Sequence, residues 1–457
     1  MRQRVVRLAL VAGVAVLALL LLLSMCGGGT DKGGDEDGGR DDGSAGGRPS
    51  ASARTETPNR PTLPAAYDTG RGWEVSSLSR EYAVARDLGV VAYLEELGNG
   101  RYRLRTLDAA TGERGWAGPA WSPRGSVGGP PRLLAVTKDG LDYFVAWSFG
   151  KPDPEPGTGA AVDTGAAGRT TGPAAPETAV VLDMYAARDG SRRRAEVPWP
   201  AAPSVSGTGP GVLITDGGTA NAVVDPVTGA VSAVEQDDLR PPKGCAGCRR
   251  LTEVRGVTDK GLLISGDPGF WVRGGWASRN VAPAGAERDS GVPTSVVDGY
   301  VLARWRVARG GKDAATHDIW AVHESRTGRA LVSVRCHKPE IEPGTYPKAV
   351  RSPAGGHLVA GNLAFDLTLG KGRCHERADG TIALTLTTVT DAGVAYGTTG
   401  AVAGTGTPLA LDLAAAGPEP LPPHVHVPDT EISDVGLFTW TDARDRHHLL
   451  GSPRRRA

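Results

Sequence analysis

This sequence carries no net charge: Lys and Arg total 51, and Asp and Glu total 51. The bulk electrostatic attraction behind non-specific nucleic-acid binding is therefore missing, and no nucleic acid is expected as a partner. The terminal Arg454-Arg455-Arg456 is a local basic end. Helical patterning is also missing. After Ala65 no apolar stretch of 3.6-residue period and useful length occurs, while 65 glycines and 34 prolines are spread throughout. There is no Gly-Lys-Ser/Thr, no Gly-x-Ser-x-Gly and no His-Glu-x-x-His, which excludes P-loop, nucleophile-elbow and zincin chemistry in their usual forms. The Gly-rich stretches Ser206–Gly211 and Gly400–Gly406 open no helix.

What is present is a recurring turn. Leu107-Asp108-Ala109-Ala110-Thr111-Gly112-Glu113-Arg114-Gly115-Trp116 reads as a strand ending in Asp, a turn ending in Thr-Gly, and a second strand carrying Trp. Gly112 takes positive φ without steric cost, and Asp108 or Thr111 bonds the turn backbone. Looser copies stand at Tyr185–Gly190, Val223–Gly229, Trp320–Gly328 and Leu363–Gly370. Short apolar runs led by Gly precede them, near Gly89, Gly140, Gly211, Gly261, Gly299, Gly356, Gly393 and Gly436. Units spaced roughly 35–60 residues apart mean a propeller or solenoid; an irregular β-sandwich with chance Thr-Gly turns is the alternative.

These residues resemble a known family. "LDAATGERGW" and "VDPVTGAV" are similar to the repeat of PQQ-like (quinoprotein-type) β-propellers of bacterial cell envelopes. Ser352-Pro353-Ala354-Gly355-Gly356-His357 resembles instead the Ser-Pro-Asp-Gly hairpin of WD40- and TolB-type propellers. The resemblance covers about Trp73 to Pro453 and implies an all-β fold: a propeller of about eight, alternatively seven, four-stranded blades. Trp73–Ala85 lacks a Thr-Gly turn of its own, and is the candidate to close the ring by pairing with strands from the other terminus.

Ahead of that domain, Arg2, Arg4 and Arg7 flank an apolar run from Leu8 to Leu23. Residues 1–26 thus read as one hydrophobic helix, a signal or membrane anchor with its basic side cytoplasmic. Leu23-Ser24-Met25-Cys26 resembles a lipoprotein cleavage site, which implies lipidation of Cys26, although Met25 departs from the small residue usual there; an uncleaved span is the equal alternative. Residues 27–70 are rich in Gly, Asp, Ser and Pro, bury too little to order, and read as a disordered tether. Residues 71–453 form the propeller, with a disordered insertion over 151–177. Either anchor places the folded domain on the extracytoplasmic side of the cell membrane.

Four further cysteines, Cys245, Cys248, Cys336 and Cys374, make an even set for an oxidising compartment and read as two disulfides, with Cys245–Cys248 and Cys336–Cys374 favoured among three pairings. Zinc held by Cys245, Cys248, Cys336-His337 and Cys374-His375 is the alternative use, although the second half lacks the paired ligand spacing of structural modules. His424 and His426 read as a solvated pair, and His447 and His448 as surface. Asp183, Asp225, Asp298 and Asp366 end strands and are expected to bond turns. Trp116, Trp121, Trp147, Trp199, Trp305 and Trp320 fit packing between blades. Trp271 and Trp276 are expected to be exposed, where they would stack a sugar or anchor a partner. The overall expectation is a membrane-anchored binding or scaffold module, more an interaction protein than an enzyme, with an envelope protein or a glycan as partner and no cofactor. A quinone-dependent dehydrogenase, implied by the family resemblance, and a carbohydrate-cleaving propeller are the alternatives.

Overall fold

The computed structural model describes residues 60–455, except 124, 127–128, 152–176, 218–219, 243–249, 340–344 and 416. The expected N-terminal helix, Cys26, most of the tether, the Cys245–Cys248 pair and nearly all of the 151–177 insertion lie outside the described residues. Among the described residues no helix is long and apolar enough to cross a membrane; the helices are the single turns Gln236–Leu239 and Ser278–Val281.

Everything else is antiparallel sheet, formed by strands that follow one another along the chain. One four-stranded sheet runs Val292–Val297, Tyr300–Arg306, His317–Glu324, Ala330–His337. The next runs Val350–Arg351, His357–Ala360, Leu363–Asp366, Lys371–Cys374. A third runs Leu384–Val389, Val394–Thr399, Pro408–Asp412, Glu419–Pro420. Earlier sheets span 204–233, three strands over 250–272, and 132–198, the last with Gly125–Ser126 added at one end. The buried apolar side chains fall into clusters that each join one sheet to the next. Val136, Val145 and Leu182 meet Val212, Ile214 and Val224, and Leu302, Val322 and Val332 meet Leu358, Ala360 and Phe365.

The remaining sheet joins the two ends of the domain. Strand Trp73–Ala85 has two partners in succession. Trp73–Leu78 pairs with His447–Gly451 of the last strand, and Leu78 and Tyr82–Ala85 pair with Glu95 and Val90–Tyr93 of the next strand in the chain. The first folded strand therefore completes the last sheet and opens the first, which leaves neither sheet with the bare edge it would otherwise have. Serial four-stranded antiparallel sheets closed in this way are a β-propeller.

The Thr-Gly turns explain how neighbouring sheets register. In the first, Asp108 Oδ1 accepts the backbone N–H groups of Ala110 and Thr111 at 3.0 and 2.8 Å, and Gly112 has φ 73°. A Trp from the preceding sheet lies flat on that glycine. A Cβ on Gly112 would stand 2.4 Å from Trp73, one on Gly190 2.7 Å from Trp116, and one on Gly328 2.4 Å from Trp276. Each indole N–H then donates to the carbonyl at the start of the same turn: Trp73 to Ala109 (2.8 Å), Trp116 to Ala187 (2.9 Å) and Trp276 to Ser325 (2.9 Å). A glycine is needed there twice over, for its φ and for the ring above it.

Two expectations are corrected. Ordered structure starts before residue 71: Thr62 bridges to Val425, and Leu63 and Tyr67 are buried against Tyr396, Phe438 and Leu450. The few apolar residues at the end of the tether each find a socket. His448, expected at the surface, is 2% exposed. Its ring stacks on Trp440 at 4.0 Å; its Nδ1 is 2.9 Å from Glu74 of the closing strand, and its Nε2 is 3.3 Å from Asp442.

Candidate functional site

The ladder between the closing strand and the next strand is broken over Ser79–Glu81, between the registered residues Leu78 and Tyr82. Such a break frees side chains from the ladder and re-aims them. A cleft of about 480 Å³ opens there, walled by Trp147, Phe149 and prolines 130, 131, 200 and 203, with Arg80, Glu81 and Arg132 on its floor. Proline walls present no N–H and hold a fixed backbone, so the cleft is shaped before anything enters it. Glu81 is anchored by Leu133 N–H at 3.0 Å and by Arg132 at 3.2 Å. A size of a few hundred Å³, an apolar wall and a few convergent polar groups are what small-ligand and side-chain pockets share.

A second cavity of about 380 Å³ shares Arg80, Glu81, Arg132 and Trp147, and adds Tyr82, Asp429 and Thr439. Burial, reinforced by Asp429, pushes the Tyr82 phenol well above its usual range. Asp429 keeps contact with solvent, yet the protein mass around it raises its carboxyl, although Thr439 donates to it through both N–H and hydroxyl at 2.7 Å. Further along the same strand, Arg86 is held below the usual guanidinium value by burial and then by the charge of Arg351. Asp298, Asp142 and Asp391 offset part of this. Asp142 is itself raised by burial, while accepting Thr137 Oγ1 at 2.6 Å and Asp87 N–H at 3.3 Å. Arg351 pairs with Asp298 at 3.1 Å. The Nε atoms of both Arg86 and Arg351 are buried with no hydrogen-bond partner among the described residues. Perturbed ionisable groups brought near one another from separate sheets are a mark of a functional site.

The residues singled out from sequence lie elsewhere. Trp271 and Trp276 are 2% and 9% exposed. They are not stacking platforms: Trp276 is the lid on the Gly328 turn, packed on Phe270 and His323, and Trp271 lies in the cluster with Leu213 and Ile264. Hydrophobic burial claimed both rings. Cys336 and Cys374 form a disulfide, with Cα atoms 5.8 Å apart, joining the outermost strands of neighbouring sheets. Disulfide sulfurs are not thiolates, so neither serves as a zinc ligand. Asp225 and Asp366 bond their turns, whereas Asp183 is buried beneath Arg192 and Asp298 holds Arg351. Tyr82, Arg86, Asp142, Arg351 and Asp429 escaped notice because they come from several different sheets. The available signal was position: Arg86, Asp298, Arg351 and Asp391 all fall at the end of a sheet's first strand.

No family model matches the chain, and no curated protein matches it. Among solved structures it is similar to the computationally designed protein Ika8, at 13% identity and TM-score 0.38 over 82% of this chain and 96% of that one. It is also similar to the Dos1 propeller, at 8% identity and TM-score 0.36 over 83% and 95%. A chain of the mitotic checkpoint complex matches at 9% identity and TM-score 0.36 over 91% and 100%. The strand pairings above, not these scores, carry the fold.

Proposed function

We propose that this chain is a binding module of the cell envelope: an eight-bladed propeller held outside the cytoplasm by its N-terminal segment, taking part of an envelope protein into the cleft along the closing strand. Eight apolar clusters, one between each pair of neighbouring blades when the closing sheet is counted as two, support the blade number. The Trp lids on Thr-Gly turns support kinship with PQQ-like repeats at the level of the blade. The anchor rests on the basic-then-apolar pattern of residues 1–26 alone.

Two observations together carry the binding reading: a pre-shaped cleft opens at Arg80 and Glu81, a few residues before Arg86 in the chain, and Arg86 and Arg351 have buried Nε–H donors with no partner among the described residues. Leaving such donors without a partner costs free energy, and an anionic group reaching them from the cleft would recover it. The apolar wall suits a hydrophobic side chain, and the Arg pair suits a carboxylate. An acidic, partly apolar peptide segment has both features. The glycan reading loses its support with the burial of Trp271 and Trp276.

The test is site-specific photo-crosslinking in the native envelope, with a photoreactive residue at Arg80 in the full chain. A discrete adduct is expected, lost when Arg86→Met and Arg351→Met are combined. No adduct above background, or one unchanged by the double substitution, overturns the reading. Purified protein mixed with PQQ and Ca²⁺ is expected to leave the cofactor spectrum unaltered; a stoichiometric spectral change would favour the dehydrogenase alternative.

A further inference from the structure

Beside the disulfide, three side chains converge that the cleft does not use. His317 opens one strand and His337 closes its neighbour; the two are register partners with ring centroids 4.0 Å apart. Glu376 follows Cys374 by two residues and reaches across from the next sheet. Its Oε1 is 2.8 Å from His337 Nδ1, and its carboxylate accepts the His337 backbone N–H at 3.1 Å. One donor atom from each of the three residues lies within 4.8 Å of the others.

The surroundings hold this set in place. The Cys336–Cys374 bond ties together the strands that carry His337 and lead to Glu376. Thr316 Oγ1 stands 2.8 Å from His317 Nδ1. When that nitrogen donates its proton to the hydroxyl, Nε2 keeps its lone pair for another partner. Gly380, at φ 83°, lets the following turn close over the His337 ring, since a Cβ there would come within 2.7 Å of it. The His337 side chain is 30% exposed and that of Glu376 15%, so solvent and small ions reach them.

We propose that His317, His337 and Glu376 form a zinc site bridging two neighbouring sheets, with a fourth position left to water. Two imidazole nitrogens and one carboxylate oxygen are the donor set of three-ligand zinc sites, bonded at roughly 2.0–2.2 Å. Calcium and magnesium select all-oxygen sets. Bonds of that length place donors about 3.3 Å apart, so the donor atoms here need only small side-chain rotations. Zinc takes a nitrogen lone pair of the neutral His337 ring; where Nδ1 is the ligand, the proton it now donates to Glu376 moves to Nε2 and the carboxylate turns to the metal.

Chelator-stripped full-length protein with its disulfide intact, titrated with zinc alone, tests this. One zinc per chain is expected by equilibrium dialysis, together with a zinc-dependent rise in Tm. Both are lost in Glu376→Gln and in His317→Asn, variants whose metal-free Tm reports that they still fold. Thr316→Val weakens zinc binding roughly 10–100-fold, as loss of an orienting partner does. Changing His424 and His426 to Asn together leaves the zinc in place. No zinc retained at micromolar free concentration, zinc that survives both ligand variants, or zinc lost with His424 and His426 overturns the site.

Discussion

The two halves of the closing strand meet opposite electrostatic environments. Along Trp73–Leu78, charges are matched. Glu74 is 2.6 Å from Arg60 and 2.9 Å from His448. Burial pushes the Asp442 carboxyl up, but bonds from Arg446 and Arg444 outweigh that and hold it well below the usual carboxylate range. Nearby, Arg454 pairs with the buried Glu431 at 2.8 Å, and Tyr67 donates to the same carboxylate at 2.7 Å. Along Tyr82–Arg86 the balance reverses for the charged groups: burial prevails over their partners, pushing Asp142 and Asp429 up and Arg86 down, whereas at Asp442 and Arg454 the partners prevail over burial; the Tyr82 phenol, like that of Tyr67, is raised by burial. A joint that only has to hold satisfies its charges from within. Around Arg86 charges stay desolvated and short of partners, which is the feature the proposed binding rests on.

That contrast can be broken in five places. Deleting residues 60–78 removes Leu63, Tyr67, Trp73 and the ladder to the last strand; a loss of more than about 5 kcal/mol is expected, seen as no cooperative calorimetric transition and as light scattering from the bared edge. Arg454→Met strands Glu431 as a buried unpaired carboxylate and is expected to cost about 3–5 kcal/mol by chemical denaturation. The covalent joint gives a calibration: changing Cys336 and Cys374 to Ala frees a closure of 38 residues and should cost about 3–4 kcal/mol. Arg86→Met makes the same exchange as Arg454→Met but is expected to fall within about 1 kcal/mol of wild type, on the stabilising side, because it removes a desolvated charge. Equal losses for the two Arg→Met variants would erase the distinction between seam and channel.

The smallest effect is in pH dependence. Asp429 has a folded pKa above its unfolded one, so the native state binds its proton more tightly. On that group's account stability is highest below about pH 3.9, its unfolded value, and falls as pH rises to the elevated folded value. Asp442 has the reverse shift: its contribution is complete above its unfolded value and is lost only as pH falls toward its depressed one. Asp429→Asn should therefore gain on wild type as pH rises from 4, reaching a plateau; a difference that is flat across that range would mean the carboxyl is not destabilised by burial.

The fold was legible because its local devices are spelled in adjacent residues. Asp108 to Gly112 names its own turn, and Trp73–Ala85 stood out by lacking one. The lids were half legible: Trp116 follows a Thr-Gly turn in sequence but covers Gly190, a turn 74 residues on (190 − 116), and only the wrapped sheets reveal which glycine it meets. The cleft was not legible at all. Its members are single residues from repeats that sequence cannot superimpose, and their chemistry comes from lost water, which has no local signature. Trp271 and Trp276 show the same limit from the other side, since a Trp beside a glycine-rich turn reads alike whether it lies on a surface or under a neighbour.

The double role of the strand Trp73–Ala85 has a consequence for biogenesis. Glu74 and His448 are 374 residues apart in the chain, so at roughly 5–20 residues per second the strand waits some 20–75 s for its partner to be synthesised. Throughout that interval a nascent chain carries an unmatched template for wrong pairing. Glu74, Arg80 and Glu81 along its length, with Arg86 just beyond its end, are the charges that keep such a template from capturing another chain, and Arg80 and Glu81 later line the cleft.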